Sequence, residues 1–138
     1  MAALTPLQAE ALTGAQLATL SSNQVAAFEA ADIATFLPSE ISALTGGAIA
    51  GLPPASIAAL SGDHIAALTK PQIGALKASQ IGTLTVSQTQ FFTPAQMGAL
   101  SPAQLAALTL DSTAALGTAQ IAGLTAKAVG GFTAQQIA

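Results

Sequence analysis

An eight-residue repeat runs through this sequence, and it limits the possible folds more than any other feature. A Leu or Phe stands at position 4 and at every eighth residue after it up to 132, which defines seventeen octads. We number octad positions 1–8 from that Leu or Phe. The consensus is L-T-P-A-Q-I-A-A, which 100–107 follow closely as L-S-P-A-Q-L-A-A. A fixed short period of this kind indicates a tandem array of equivalent structural units.

Each octad carries the signals of a helix start. Position 2 is Thr in nine octads and Ser in three, and these side chains cap helix N-termini. Position 3 would be the first helical residue, and it is Pro in five octads, where its missing N–H costs nothing. Position 5 is Gln in ten octads, so that Thr-x-x-Gln forms a capping box. The repeat therefore predicts one helix start every eight residues.

Two other architectures fit the period less well. In one continuous helix of 3.6 residues per turn, an octad drifts by roughly 80°, and no apolar stripe survives that drift. In a β-solenoid, the apolar positions 1 and 6 would point to opposite faces of a strand. We expect an all-α solenoid, a single domain over residues 1–138, built from seventeen helices of about five to seven residues with about three to four octads per turn.

The distribution of charge predicts which side of each octad faces inward. Eight of the nine charged residues lie at positions 2–5, with Glu10 as the exception, whereas positions 7 and 8 hold mostly small residues. Positions 1 and 6 are apolar and are spaced as a hydrophobic staple. We expect positions 1, 6, 7 and 8 to face the core and positions 2–5 to face solvent. Replacement of a core residue such as Ile65 or Ile73 by Ala should then cost roughly 2–5 kcal/mol.

Octad 11, residues 84–91, departs most from the consensus. Thr89 stands where Ile is usual, and Phe91 stands at position 8, which otherwise holds small residues. A ring of that size does not fit a site shaped for Ala. We expect octad 11 either to widen the coil locally or to turn Phe91 outward, where the ring would contact another chain.

Composition narrows the classes of function. The net charge of −3 and the few basic residues disfavour nucleic-acid binding, which needs a basic face. The absence of Cys excludes disulfides and thiolate metal sites. The first residues lack the basic and apolar segments of a secretory signal peptide. Recurring Thr, Ser and Gln, together with Pro94 and Pro102, interrupt the uncharged stretch 78–110, so that we expect no membrane insertion.

The sequence contains no catalytic constellation. His64 follows Asp63 but occupies octad position 5, so we interpret it as a surface side chain at a helix start. Asp32 and Glu40 also stand at position 5, where a carboxylate caps the helix and interacts well with its N-terminus. We prefer this interpretation to an acid–base pair. We therefore expect a protein that is not an enzyme and that uses no cofactor, metal ion or small-molecule substrate.

The L-T-x-x-Q-I-x-A octads resemble short-period repeats found in large bacterial surface or secreted proteins. The resemblance extends over the whole chain. It implies a structural or adhesive role and an extracellular or cell-surface location, and it assigns no functional residues.

The ends of the coil bear on function. Solenoids normally hide their terminal core faces under polar repeats, whereas Leu4 and Leu12 at one end and Phe132 and Ile137 at the other are apolar. We expect head-to-tail self-association through these residues, or else further octads of a longer array that cover them. The preferred function is a rod-like spacer or filament subunit. The alternative is a binding module that presents its regular Thr, Ser and Gln face to a glycan or another surface.

Overall fold

The computed structural model describes residues 4–138, which form an all-α coil of seventeen short helices. In chain order they are α1 Pro6–Glu10, α2 Gly14–Leu17, α3 Ser22–Ala26, α4 Ala30–Thr35, α5 Pro38–Ala43, α6 Gly46–Gly51, α7 Pro54–Ala58, α8 Gly62–Ala67, α9 Lys70–Ala75, α10 Ala78–Ile81, α11 Val86–Gln90, α12 Pro94–Met97, α13 Pro102–Ala107, α14 Leu110–Ala114, α15 Thr118–Gly123, α16 Ala126–Val129 and α17 Ala134–Ile137. The predicted all-α repeat solenoid is confirmed.

Every helix begins at octad position 3, one residue after an N-cap at position 2, as the capping signals predict. Thr69, for example, is extended with φ −78° and ψ 160°, and its hydroxyl accepts a hydrogen bond from the Gln72 N–H. The helices have four to six residues, slightly fewer than expected, because the last positions of most octads already form the turn to the next N-cap. Among residues 4–138 no backbone has a positive φ, so the chain turns through extended residues rather than left-handed ones.

The coil closes a turn in between three and four octads. The helices that pack together are separated by three places along the chain, as α3 with α6, α6 with α9, and α12 with α15. Side-chain hydrogen bonds between successive turns join residues that are 28 or 31 apart. Seventeen helices therefore make about five turns, and each turn is stabilised mainly by its neighbours along the coil.

The core of the coil consists of positions 1, 5 and 6. Ile65 and Ile73 at position 6 are fully buried, and Leu68 and Leu76 at position 1 are nearly so, as predicted. The prediction that the whole polar half faces solvent is wrong at position 5, where Gln72 is only 1 % exposed. The prediction that positions 7 and 8 face the core is also wrong, since position 7 is exposed in most octads and position 8 is mostly half-buried or exposed.

Small residues at position 8 serve the contact between turns instead. Position 8 of one octad lies against position 3 of the facing octad in the preceding turn. A Cβ added to Gly51 would lie 2.6 Å from the Ser22 carbonyl oxygen, and Cβ atoms added to Gly123 or Gly131 would meet the backbone of the facing Pro residues. These positions are small because the helices of adjacent turns approach closely there.

Candidate functional site

The buried glutamines at position 5 are the feature that joins one turn of the coil to the next. Gln72 shows the arrangement. Its Oε1 accepts the Thr69 N–H at 2.8 Å, which completes the capping box. Its Nε2 donates to the carbonyl oxygens of Ile41 at 2.8 Å and Leu44 at 2.7 Å, which belong to the preceding turn. One side chain therefore caps its own helix and bonds the end of an earlier one.

The same contacts recur along the chain and form a row that we call the glutamine ladder. Each rung joins a Gln to a position 6 carbonyl and a position 1 carbonyl of the preceding turn. A hydrogen bond of this kind contributes about 0.5–1.5 kcal/mol net, and loss of a partner leaves a buried polar group unsatisfied. The rungs are Gln72, Gln80, Gln88, Gln96, Gln104, Gln120 and Gln136.

His64 forms a partial rung of the same ladder, with one cross-turn bond in place of two, which corrects its interpretation as a surface residue. Its Nδ1 accepts the Ser61 N–H at 3.1 Å, and its Nε2 lies 2.6 Å from the Phe36 carbonyl oxygen in the preceding turn. These partners require the neutral tautomer with the proton on Nε2. The predicted position at a helix start is correct, because His64 completes the capping box with Ser61. The predicted surface location is wrong, because the side chain is buried.

Asp32 and Glu40 have the capping role that their position predicts. Asp32 Oδ2 accepts the Glu29 N–H at 3.0 Å, and Glu40 Oε2 accepts the Leu37 N–H at 2.7 Å. Each carboxylate thus serves the start of its own helix. A carboxylate has no N–H to donate, so these two residues supply the cap without the second half of a rung.

Four further octads lack a side chain that can form a rung. Position 5 is Ala48, Ser56, Ser112 and Ala128 in these octads. Ser112 is buried, and its Oγ is the one buried side-chain oxygen or nitrogen without a partner among the described residues. A Gln at this position would reach the Ile81 and Leu84 carbonyls, by the spacing of the other rungs. The hydroxyl is too short to do so.

The first turn of the coil presents donors without acceptors. The side chains of Gln8, Gln16 and Gln24 are exposed. Their Oε1 atoms accept the N–H groups of their own N-caps. No described residue accepts a hydrogen bond from their Nε2 groups, because no earlier turn lies within residues 4–138 to provide the carbonyls.

An apolar cavity opens beside these glutamines. It has a volume of about 450 Å³ and is lined by position 1 side chains, with Asp32 among its polar residues. Among its lining residues, Leu4 is 48 % exposed, whereas Leu12 is half-buried. The lining side chains at position 1 are Leu4, Leu12, Leu20 and Phe28.

The last turn presents the opposite set of groups. Ile137 is 71 % exposed, and Ile121 and Val129, at the same octad position, are also exposed, although position 6 is buried along the middle of the coil. Phe132 is half-buried against the core. Within the described residues, three position 1 carbonyls at this end accept no side-chain hydrogen bond. They belong to Leu116, Leu124 and Phe132.

Phe91 turns outward, as the second of the two expected alternatives states, and its expected contact with another chain stays a prediction. Its ring is 45 % exposed and lies over Gly62, the position 3 residue of the facing octad in the preceding turn. A Cβ at Gly62 would overlap the ring. Gln88 in the same octad keeps its cap and its cross-turn bonds. A large residue at position 8 is therefore matched by the smallest residue at the facing position 3.

The capping role of Gln at position 5 was predicted from the sequence, whereas its bonds to the preceding turn were not. The preference for Gln was the available signal. A Glu caps as well, as Glu40 shows, and the helix N-terminus favours a negative charge. Selection of the neutral amide in ten octads indicates that the N–H₂ group is needed, since it is what Glu lacks.

The described residues contain no cluster of His, Cys, Asp and Glu side chains suited to a metal ion. None of the helices described is long and apolar enough to span a membrane.

The fold and the ladder define the class of protein: an all-α solenoid of octad repeats joined by buried glutamines. Residues 92–126 match the ALTTAQ repeat family. This match begins at an octad boundary, and 115–120 within it reads A-L-G-T-A-Q. That part of the chain is thus similar to a known repeat family. No curated protein and no solved structure matches the chain.

Proposed function

We propose that this protein has a structural and interaction role, as a spacer or as the subunit of a longer assembly. The glutamine ladder is the observation that carries the proposal. Its buried polar side chains bond carbonyls of the preceding turn, so that the distinctive residues of the repeat hold the coil together. Residues that join each repeat to the next are typical of solenoid proteins, which lengthen by the addition of repeats.

The accessible surface of the chain indicates how elongated a single copy is. Its accessible surface is 6748 Å², close to the roughly 6,500 Å² of a compact globular protein of this mass. A coil of this size alone is therefore short. Length comes from further octads or from the stacking of several chains, and the proposed spacer acts in such a longer form.

The alternative of a binding module with a hydroxyl face receives less support. The position 2 hydroxyls of Thr69, Thr85 and Thr93 each accept an N–H at the start of their own helix. Helix capping therefore accounts for the regular row of hydroxyls. The extracellular or bacterial surface setting rests on the resemblance of the octads alone, and we retain it as part of the proposal on that basis.

Negative-stain electron microscopy of the concentrated protein tests the proposal. Rods or filaments about as wide as one coil support the structural role. Compact single particles that are retained on an immobilised glycan, and released by the soluble glycan, would instead support the binding module.

A further inference from the structure

His64 is the one titratable side chain among the rungs of the glutamine ladder. Its two ring nitrogens have different partners, because Nδ1 accepts the Ser61 N–H at 3.1 Å and Nε2 donates to the Phe36 carbonyl oxygen at 2.6 Å. The side chain is only 5 % exposed, so that solvent does not readily replace either partner. A neutral imidazole satisfies both bonds, as the amide of Gln72 does in the next octad.

Protonation of His64 removes one of these two bonds. Imidazolium carries a proton on each ring nitrogen and accepts no hydrogen bond. Its Nδ1–H would point at the Ser61 N–H, which would lose its acceptor in the capping box of α8. Two donors held against each other at a buried site are unfavourable. The ring must then turn away from Ser61, and the turn also withdraws Nε2 from the Phe36 carbonyl.

His64 lies where hydrogen bonds between turns are fewest. The residues at position 5 of the four preceding octads are Asp32, Glu40, Ala48 and Ser56. Among residues 4–138, none of these four side chains bonds a carbonyl of an earlier turn. Within the same residues, the bond from His64 to Phe36 is the only hydrogen bond between turns that involves a residue before Ile41. The segment before Ile41 is therefore joined to the later turns by packing and by this bond.

The charged groups around α8 are few. This helix packs on α5 in the preceding turn and on α11 in the next. The charged residue of α5 is Glu40, whose Oε2 accepts the Leu37 N–H, and α11 has none. Asp63, on α8 itself, is exposed. Neither carboxylate bonds the imidazole in the described part of the chain, where both ring nitrogens contact backbone groups.

We propose that His64 makes the junction between α8 and the preceding turn sensitive to pH, so that uptake of one proton by the imidazole detaches the segment before Ile41 from the later turns. This inference goes beyond the spacer role and does not depend on it. The detached segment includes the buried Phe28 and Phe36 rings, which pack edge to face with centroids 5.5 Å apart. Mild acid would thus expose apolar core surface within the coil.

The direction of the effect follows from proton linkage. An imidazole in the unfolded chain takes up a proton near pH 6.5, whereas the folded junction requires the neutral ring. The unfolded state therefore binds more protons as the pH falls, and the stability of the folded coil decreases. For one such proton, the unfolding equilibrium constant rises by at most about tenfold between about pH 7.5 and 5.5. Ordinary carboxyl groups titrate lower, near pH 4.

Urea denaturation at these two pH values compares the full chain with His64→Gln, which keeps both bonds and does not titrate. The unfolding constant of the unmodified chain should rise about tenfold more than that of His64→Gln. Asp63→Asn and Glu40→Gln each remove one carboxylate near α8 and serve as matched controls that should keep the original pH dependence. Equal pH dependence with and without His64 would overturn the proposal, as would its loss in either carboxylate control.

Amide hydrogen exchange, measured by NMR, locates the detached segment. At pH 5.5 the amides of α3 and α4 should exchange at least several times faster in the unmodified chain than in His64→Gln, whereas those of α9 to α13 should exchange equally in both. Faster exchange along the whole chain would overturn the local junction. A protonated His64 ring, identified by its ¹⁵N shifts, beside a Ser61 amide that stays protected would overturn it as well.

Discussion

Replacement of Gln72 by Glu should weaken the coil strongly, although the two side chains have nearly the same shape. The Glu retains an oxygen for the Thr69 N–H, so the cap survives. It loses both N–H bonds to the Ile41 and Leu44 carbonyls and places a carboxylate against them at a site that is 1 % exposed. A buried charge that keeps one N–H donor but faces two carbonyl oxygens costs up to about 3–5 kcal/mol, which is a large part of the stability of a typical small domain.

Gln8→Glu is the matched control, because Gln8 also completes a capping box after a Thr N-cap but is exposed and makes no cross-turn bond to a described residue. We expect this change to shift stability by less than about 0.5 kcal/mol. Urea denaturation followed by circular dichroism at pH 7 measures both. Equal unfolding midpoints for the two variants would show that the ladder contributes nothing beyond capping.

Further substitutions test the packing rules of the coil. Gly62→Ala should destabilise the protein by about 0.5–1.5 kcal/mol, because the new methyl group displaces the partly exposed Phe91 ring from its rotamer. The same change should be nearly neutral in a Phe91→Ala background, and a double-mutant cycle in which the two effects simply add would contradict the contact. Ser112→Gln should raise stability by about 1–2 kcal/mol by installing a missing rung, and a lower thermal midpoint would show that the site has no room for the amide. His64→Gln should leave folding and any measured activity intact since Gln makes the same bonds, whereas loss of an activity with normal folding would reopen a catalytic role for His64.

The sequence was informative about everything local. The N-cap at position 2, the Pro at position 3 and the Gln at position 5 act on residues that are close in the chain. Each was predicted together with the helix start. These features are predictable because a single octad contains all the groups involved.

Contacts between turns were not predictable in the same way. Gln72 also donates hydrogen bonds to carbonyls that lie 28 and 31 residues earlier in the chain. Because the sequence repeats every eight residues, equivalent carbonyls occur in every octad, and the sequence does not indicate which of them Gln72 contacts. Phe91 shows the same limitation. The compensating Gly62 lies in the preceding turn, and its meaning appears only when the coil fixes which octads face each other. Position 5 is buried because of these contacts between turns. Since the contacts were not predicted, position 5 was wrongly expected to face solvent.

Hydrogen exchange of the glutamine side-chain amides, measured by NMR, tests the ladder most directly. The Nε2 protons of Gln72, Gln80 and Gln88 should exchange far more slowly than those of Gln135, because they are buried and bonded to carbonyls of the preceding turn. Exchange in these three side chains as fast as in the exposed Gln135 would contradict the claim that buried glutamines join the turns of the coil.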